Sequence, residues 1–283
     1  MQAKPFIKWI GGKRSLLPEI LKRVPEKFNR YWEPFIGGGA LFYELWNQGR
    51  FCTEEKNAII SDINGTLINA YEVVRNHPDE LINKLKWYKE NHSEEFYYAQ
   101  RANEPVDAIS RAAWFIYLNK TGFNGMWRIS SKTGKNNVPF GKAKNPTLCT
   151  PEGISASSQA LQSARIFTGS FDEIEPIEGD LVYFDPPYFP ITERSYKTYN
   201  GNRFEIEQQT TLRDFAKSLA SHGVHVILSN SNCEFIQNLY SDTIFNVETV
   251  LAPRYINAKG DNRKPVEEVL ITTNTQRCQK RQK

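Results

Sequence analysis

The stretch "DLVYFDPPYFP", residues 180–190, sets an apolar run against a carboxylate, two prolines and a tyrosine. The run predicts a buried strand over 180–184. A strand that stops at Asp-Pro-Pro-Tyr delivers its acid to the carboxyl edge of a sheet, where open α/β sheets bind ligands. Proline fixes φ and lacks a backbone donor, so the carbonyls of Pro186 and Pro187 and the carboxylate of Asp185 are expected to converge as acceptors. An exocyclic amine offers the matching donors. Adenine's amino nitrogen is a poor nucleophile because its lone pair is delocalised into the ring; accepting both hydrogens favours a pyramidal nitrogen with the pair aimed outward. The carboxylate also offsets the positive charge that grows on nitrogen as it attacks a sulfonium methyl group. Tyr188 is expected to stack on the base, returning part of the cost of extruding it from a duplex.

Around this stretch, short apolar runs alternate with helical patterns. "RYWEPFIG" (30–37) and "NAIISDIN" (57–64) read as strands, and "SLLPEILKRV" (15–24) and "GALFYELWNQ" (39–48) as helices. After Arg165 the alternation resumes, with strands at "RIFTGSF", "VHVILSN", "IFNVETV" and "VEEVLITTN" and helices over 205–223 and 233–240. Between these halves helical periodicity dominates 67–92 and 108–120, followed by a Gly/Asn-rich stretch, 121–146, that reads as loops with a hairpin. The pattern predicts an α/β fold: a Rossmann-like, mostly parallel sheet with helices on both faces, interrupted by an inserted, mainly helical domain carrying a β-hairpin. The last two strands are expected to pair antiparallel at one edge.

The chain has 283 residues, 40% of them hydrophobic, and offers no apolar segment long enough to span a membrane. The first residues, MQAKPFIKWIGG, lack the apolar core of a secretory signal, so the expected address is the cytoplasm with no membrane partner. Cys52, Cys149, Cys233 and Cys278 form no CxxC pair, which argues against a zinc site; no metal is expected. The formal charge of +4 is carried by the tail, where Arg277, Lys280, Arg281 and Lys283 meet no acid. A sharper asymmetry is internal. No acid occurs between Asp107 and Glu152, while Arg111, Lys120, Arg128, Lys132, Lys135, Lys142 and Lys144 are basic. Such runs are ordinarily solvated loops, but interleaved Trp114, Phe115, Tyr117, Phe123, Trp127 and Phe140 suit phosphate contact with base stacking.

The turn "FIGGGALF" (35–42) joins a strand to a helix, where glycines admit a ligand to the backbone. Counting from Gly37 and Gly39, the third position of a dinucleotide fingerprint is Phe42, and "GGKRS" (11–15) fails as a triphosphate loop. What remains is an adenosine ligand with little phosphate, a description S-adenosylmethionine fits. Asp62, ending the second strand, stands where such folds bind ribose hydroxyls. A helix N-cap ahead of "NGTLINAYEVV" is its other reading.

In these residues the sequence resembles the Dam-type, alpha-group DNA adenine methyltransferases. The likeness runs in the group's order through "FIKWIGGK", "EPFIGGGALF", "SDIN", an insertion, "GSF" and "DPPY". The resemblance implies S-adenosylmethionine as methyl donor, bound by Trp9, Lys13, Phe35, Gly37, Gly39, Asp62, Phe171 and Asp185. It implies a target adenine held by Asp185, Pro186, Pro187 and Tyr188. In the insertion, "YLNKTGFNGMWR" (117–128) looks like the hairpin that GATC-specific members push into DNA. Phe123 would wedge into the stack, Asn124 and Met126 would touch bases or phosphates, and Arg128 would read guanine by a bidentate contact. Lys8 and Lys144 would lie near DNA, as would Arg254, Lys259, Arg263 and Lys264 of "RYINAKGDNRKP" (254–265), whose other reading is a solvated loop. Ala143 stands where some relatives carry a tyrosine. The implied division is a discontinuous catalytic domain over 1–70 and 165–275, a target-recognition domain over 71–164 and a basic tail, 276–283.

None of the four cysteines follows a proline, which argues against cytosine-C5 transfer. Cytosine-N4 transfer also uses an exocyclic amine, though the acidic start of the tetrapeptide goes with adenine in the group it resembles. A non-catalytic DNA-binding module is opposed by the intact Asp185 and glycine turn. The match of "FNRYWEPFIGGGALF" favours the modification enzyme of a restriction system, with a cognate endonuclease acting on the same site without a stable complex; a solitary regulatory or repair methylase is the alternative.

Overall fold

The computed structural model describes residues 2–9, 11–51, 53–190, 204, 206–252 and 266–273. The basic loop 254–265 and the tail 276–283 lie outside the described residues. Seven strands, β1 (Tyr31–Glu33), β2 (Ala58–Asp62), β3 (Ala164–Thr168), β4 (Leu181–Phe184), β5 (His225–Ser231), β6 (Phe245–Ala252) and β7 (Val266–Thr273), form a sheet of order β3-β2-β1-β4-β5-β7-β6. Parallel pairs join β2 to β3, β1 to β4 and β4 to β5, and β7 runs antiparallel to both β5 and β6. This is the expected α/β sheet flanked by helices, with an antiparallel pair at one edge. The chain divides into two compact units, Met1–Gly12 with Ile36–Thr168 and Lys13–Phe35 with Gly169–Lys283.

In the first unit β2 and β3 lie in register from Ala58 opposite Ala164 to Asp62 opposite Thr168. It also holds α2 (Ala40–Asn47), α3 (Gly65–Asn76), α4 (Pro78–Glu90), α5 (Glu94–Ala102), α6 (Ala108–Thr121) and α7 (Pro151–Leu161). Polar side chains start these helices by accepting orphan N–H groups: Asn64 for α3, Ser93 for α5, Asp107 for α6 and Thr150 for α7. Helix α6 packs against α3, α4 and α5 and is buried continuously from Ala112 to Asn119, as an enclosed helix must be. Trp114, Phe115 and Tyr117 belong to that interior, which corrects the expectation that they stack on bases. Trp127 packs edge-on against Trp114 and Phe115, while Phe123 stands 45% exposed.

In the second unit α1 (Leu17–Leu21) is shorter than the expected 15–24, because Pro18 sits in its first turn and residues Lys13–Ser15 form a 3-10 turn instead. Strand β1 likewise stops at Glu33, before Pro34, which has no N–H for the ladder. Helices α8 (Ile206–Ser221) and α9 (Glu234–Leu239) flank β5 in sequence. At the amino end of β4 the fully buried Asp180 accepts from the Arg30 and Ile177 N–H groups at 3.1 and 3.0 Å and from Trp32 Nε1 at 2.9 Å. It also pairs with the Arg30 guanidinium at 2.7 Å. These bonds clamp β1 beside β4 in the register Tyr31 opposite Leu181. The order reverses between these two strands, so β4 delivers Asp185 to a topological switch point.

Asp180→Ala should lower unfolding stability by about 3 kcal/mol, the lower end for breaking a buried ion pair because Arg30 keeps solvent access. Urea denaturation would measure it, and a loss within error of zero would show that the clamp is dispensable.

Candidate active site

In the second unit Asp185 follows the last residue of β4 and keeps a side-chain exposure of 21%. Its Oδ1 receives two groups: the Lys13 ammonium at 2.8 Å and the Ser229 hydroxyl, which donates at 3.0 Å. Oδ2 has no hydrogen-bond partner among the described residues. Burial pushes the Asp185 carboxyl above its ordinary range, and Lys13, then Ser229, pull it back. Lys13, expected with the methyl donor, lies against the carboxylate, with its ammonium 4.3 Å from the centre of the Tyr188 ring. The Tyr188 hydroxyl donates to Glu268 Oε2 at 2.6 Å. Burial, joined by the charges of Asp185 and Glu268, holds that phenol well above its usual range, so it stays a neutral donor.

The turn after β4 is held from behind by buried amides. Gln209, on α8, donates to the Pro187 carbonyl at 3.1 Å, and its Oε1 accepts from Asn230 Nδ2 at 3.0 Å. Asn230 Oδ1 accepts the Phe189 N–H at 3.1 Å, and Ser231 Oγ donates to the Phe189 carbonyl at 2.7 Å. Gln209 thus engages one lone pair of the Pro187 carbonyl, which was expected to face a substrate. Phe35 and Phe171 stack at 5.5 Å, and both meet Phe184, the residue before Asp185, edge-on at 6.4 Å.

In the first unit the glycine turn closes on itself. Gly37 and Gly39 have φ of +46° and +68°, a region that L side chains rarely adopt. A Cβ at Gly37 would lie 2.6 Å from the Trp9 indole, so only glycine lets Trp9 approach. Asp62 Oδ2 accepts the Gly37 N–H at 3.2 Å and Oδ1 the Asn64 N–H at 3.0 Å. The cap of α3 is Asn64, not Asp62, which settles the alternative reading of Asp62. Burial raises the Asp62 carboxyl while those backbone N–H groups oppose it. Beside it Ile63, which sequence reasoning passed over, is 78% exposed; an apolar residue directly after the strand-end acid was the available signal.

A second cluster of the first unit gathers around the fully buried Asn119, which accepts the Lys8 N–H at 2.9 Å and donates to the Lys8 and Gly125 carbonyls at 2.7 and 3.0 Å. These bonds tie the Lys8 segment to the turn carrying Phe123, Asn124 and Met126, where Asn124 adopts φ +54°. Isolated bridges pair Gly122 with Phe140 and Ile129 with Asn136, giving the hairpin read from the sequence. Arg128 is exposed, its Nε donating to Asn137 Oδ1 at 2.6 Å. Lys144 is exposed beyond Ala143, whose carbonyl meets His92 Nε2 at 2.8 Å. Among the described residues no cluster of three or more His, Cys, Asp or Glu side chains could hold a metal ion, and no helix is long and apolar enough to cross a membrane.

A family model described as D12 class N6 adenine-specific DNA methyltransferase matches residues 9–253. The chain is 40% identical over 280 residues to the Type II methyltransferase M1.LlaDCHI of Lactococcus lactis, covering 95% of both chains. It is 38% identical over 293 residues to the Type II methyltransferase M.MjaIII of Methanocaldococcus jannaschii, covering 96% of this chain and 99% of that one. To the DNA adenine methylase of Escherichia coli it is 32% identical over 274 residues, covering 94% of each. The chain belongs to the D12 class of N6 adenine-specific DNA methyltransferases, and it is an enzyme that methylates adenine in DNA.

Lys13 is the larger of the two influences that oppose burial at Asp185. Lys13→Met removes a stabiliser of the charged form, so protonation should persist to higher pH. Carbon-13 NMR of the Asp185 carboxyl across a pH series would show the midpoint moving up; an unmoved midpoint would mean that the ion pair does not form in solution.

Proposed function

We propose that the enzyme transfers methyl from S-adenosylmethionine to adenine N6 in double-stranded GATC, acting on a base turned out of the duplex. The observation that carries the chemistry is the asymmetry of Asp185: Oδ1 is committed to Lys13 and Ser229, and Oδ2 is left to accept from an amine. A bond from N6–H to Oδ2 draws electron density toward the nitrogen lone pair, and the nearby negative charge offsets the positive charge that develops on nitrogen. Tyr188 offers the aromatic face on which a base stacks.

The residues present fit the donor. Asp62 holds the glycine turn at the strand end through the Gly37 N–H, that turn admits close approach and exposed Ile63 offers an apolar surface, a set suited to adenosine without a phosphate cradle. When bound, S-adenosylmethionine supplies an electrophilic methyl carbon on a sulfonium. We assign its adenosine to Trp9, Gly37, Gly39 and Asp62, and further donor contacts to Phe35 and Phe171.

For the DNA, the hairpin with exposed Phe123 and Arg128 supports the reading that Phe123 wedges into the stack while Arg128 recognises guanine. The Nε of Arg128 bonds Asn137, a geometry that suits the terminal nitrogens to a bidentate contact. Lys8, Asn124, Met126 and Lys144 complete the proposed contact set, and residues 71–164 the proposed recognition domain. The names of the two Type II relatives support a role as the modification enzyme of a restriction system, paired with an endonuclease that shares the site.

Labelled donor with a panel of duplexes differing at one base, digested to nucleosides, tests donor, target and site together. Asp185→Ala should abolish transfer while sparing specific DNA binding, and equal rates in variant and parent would end the proposal. Arg128→Ala should erode discrimination at the first base by about 1–3 kcal/mol, the value of one bidentate contact. Unchanged discrimination there would place the reading residue elsewhere.

A further inference from the structure

We propose that Glu268, on β7, is a positioning residue for methyl transfer, holding the Tyr188 ring in the plane on which the target adenine stacks. The inference rests on the proposed role of the Asp185–Tyr188 corner. Glu268 interrupts an apolar strand, "VEEVLITT", and by the pleat shares a face with the fully buried Leu270. Glu268 itself is half-buried, and a carboxylate drawn partly out of water is favoured by a hydrogen bond. Its partner is the Tyr188 hydroxyl, at 2.6 Å, a separation typical of a charge-assisted bond.

The backbone beneath Glu268 is held on both sides. It lies opposite Ser231 on β5 and Val250 on β6, so the carboxylate is fixed to a strand with a ladder at each edge. Sites built on such elements hold their geometry more tightly than sites on loops. Tyr188 lies between two prolines whose φ angles are set and Phe189, whose N–H and carbonyl are both bonded, so its side-chain torsions are the main freedom left to remove. Glu268 fixes the far end of the ring. The Lys13 ammonium, over one face, is tied in turn to Asp185. The ring and the carboxylate acceptor therefore share one chain of contacts running from β7 to the end of β4. Glu268 bonds to the phenol and acts through it, which makes it a positioning residue and not a catalytic one.

A double-mutant cycle tests this, with kcat, KM for DNA and KM for S-adenosylmethionine measured on one duplex. Glu268→Ala and Tyr188→Phe should each lower kcat roughly tenfold, the scale of one charge-assisted hydrogen bond. The KM for the donor should not move. The double variant should be no slower than either single variant, and Glu268→Gln, which keeps an acceptor oxygen, should recover most of the rate. Multiplying losses in the double variant would overturn the proposal, as would a Glu268→Gln enzyme as slow as Glu268→Ala. Because Glu268→Gln and Tyr188→Phe nearly preserve shape, they carry the test even if Glu268→Ala does not fold. Asp185→Ala, run in parallel, separates the two readings: an active Asp185→Ala enzyme removes the corner itself, whereas an inactive one with a multiplicative cycle removes Glu268 alone.

Discussion

Two carboxylates bracket four buried residues in β4, and the first makes the second useful. Asp180, without solvent contact, gathers Arg30, Trp32 and the Ile177 N–H about the amino end of the strand and so fixes β1 alongside it. With both strands locked in register, Leu181 to Phe184 can be wholly buried, the one polar side-chain group, the Tyr183 hydroxyl, meeting Ser229 at 3.2 Å, and the chain leaves the sheet at one defined place. Asp185 therefore arrives at the switch point as a matter of strand length. Were the register free to slip by one residue, every side chain would change face and the acid would leave the strand on the wrong side of the sheet.

The second carboxylate is poised between opposing influences. A buried acid with no cation would hold its proton and become a donor, which is useless for accepting from an amine; one fully engaged by cations would have no oxygen to offer. Lys13 and Ser229 both use Oδ1, which favours the charged form against burial without consuming Oδ2. This division also explains the company of Lys13. Its ammonium serves the chain's own acid and tyrosine, a role that the motif "GGK" does not announce because its partners lie far away in sequence.

The sequence made the sheet legible because its strands end in punctuation: Pro34 after β1, Asp62 at the end of β2, the Pro-Pro pair after β4. It exposed less of the helices. Helix α5, "EEFYYAQRA", has nine residues and fully buries only Tyr97, too short a run for its apolar face to repeat, and α7, "PEGISASSQAL", is written in small residues that resemble a loop, although Thr150-Pro151 is an N-cap followed by a first-turn proline. The conformation of the corner was invisible for another reason. Gln209 reaches Pro187 from 22 residues away, Asn230 reaches Phe189 from 41 and Glu268 reaches Tyr188 from 80. Such contacts leave no periodic trace. The aromatic run misled because α6 is buried all round, so that its rings served packing where composition suggested stacking.

The same device recurs in both units. Where the backbone leaves regular structure to present a side chain, a buried amide satisfies the groups it exposes: Asn119 beneath the Lys8 and Phe123 segments, Asn230 and Gln209 beneath Pro187 and Phe189. An interior amide must find all its partners or incur the desolvation of those left over, so each turn is favoured in one conformation and penalised in intermediate ones. That all-or-none character suits the proposed action on an extruded base. Energy spent on opening a duplex is recovered only if the receiving surface is already formed, and a turn that had to order itself around the base would add its own entropy to the cost. These two turns are held from below by hydrogen bonds, which leaves the variable work to the side chains above them.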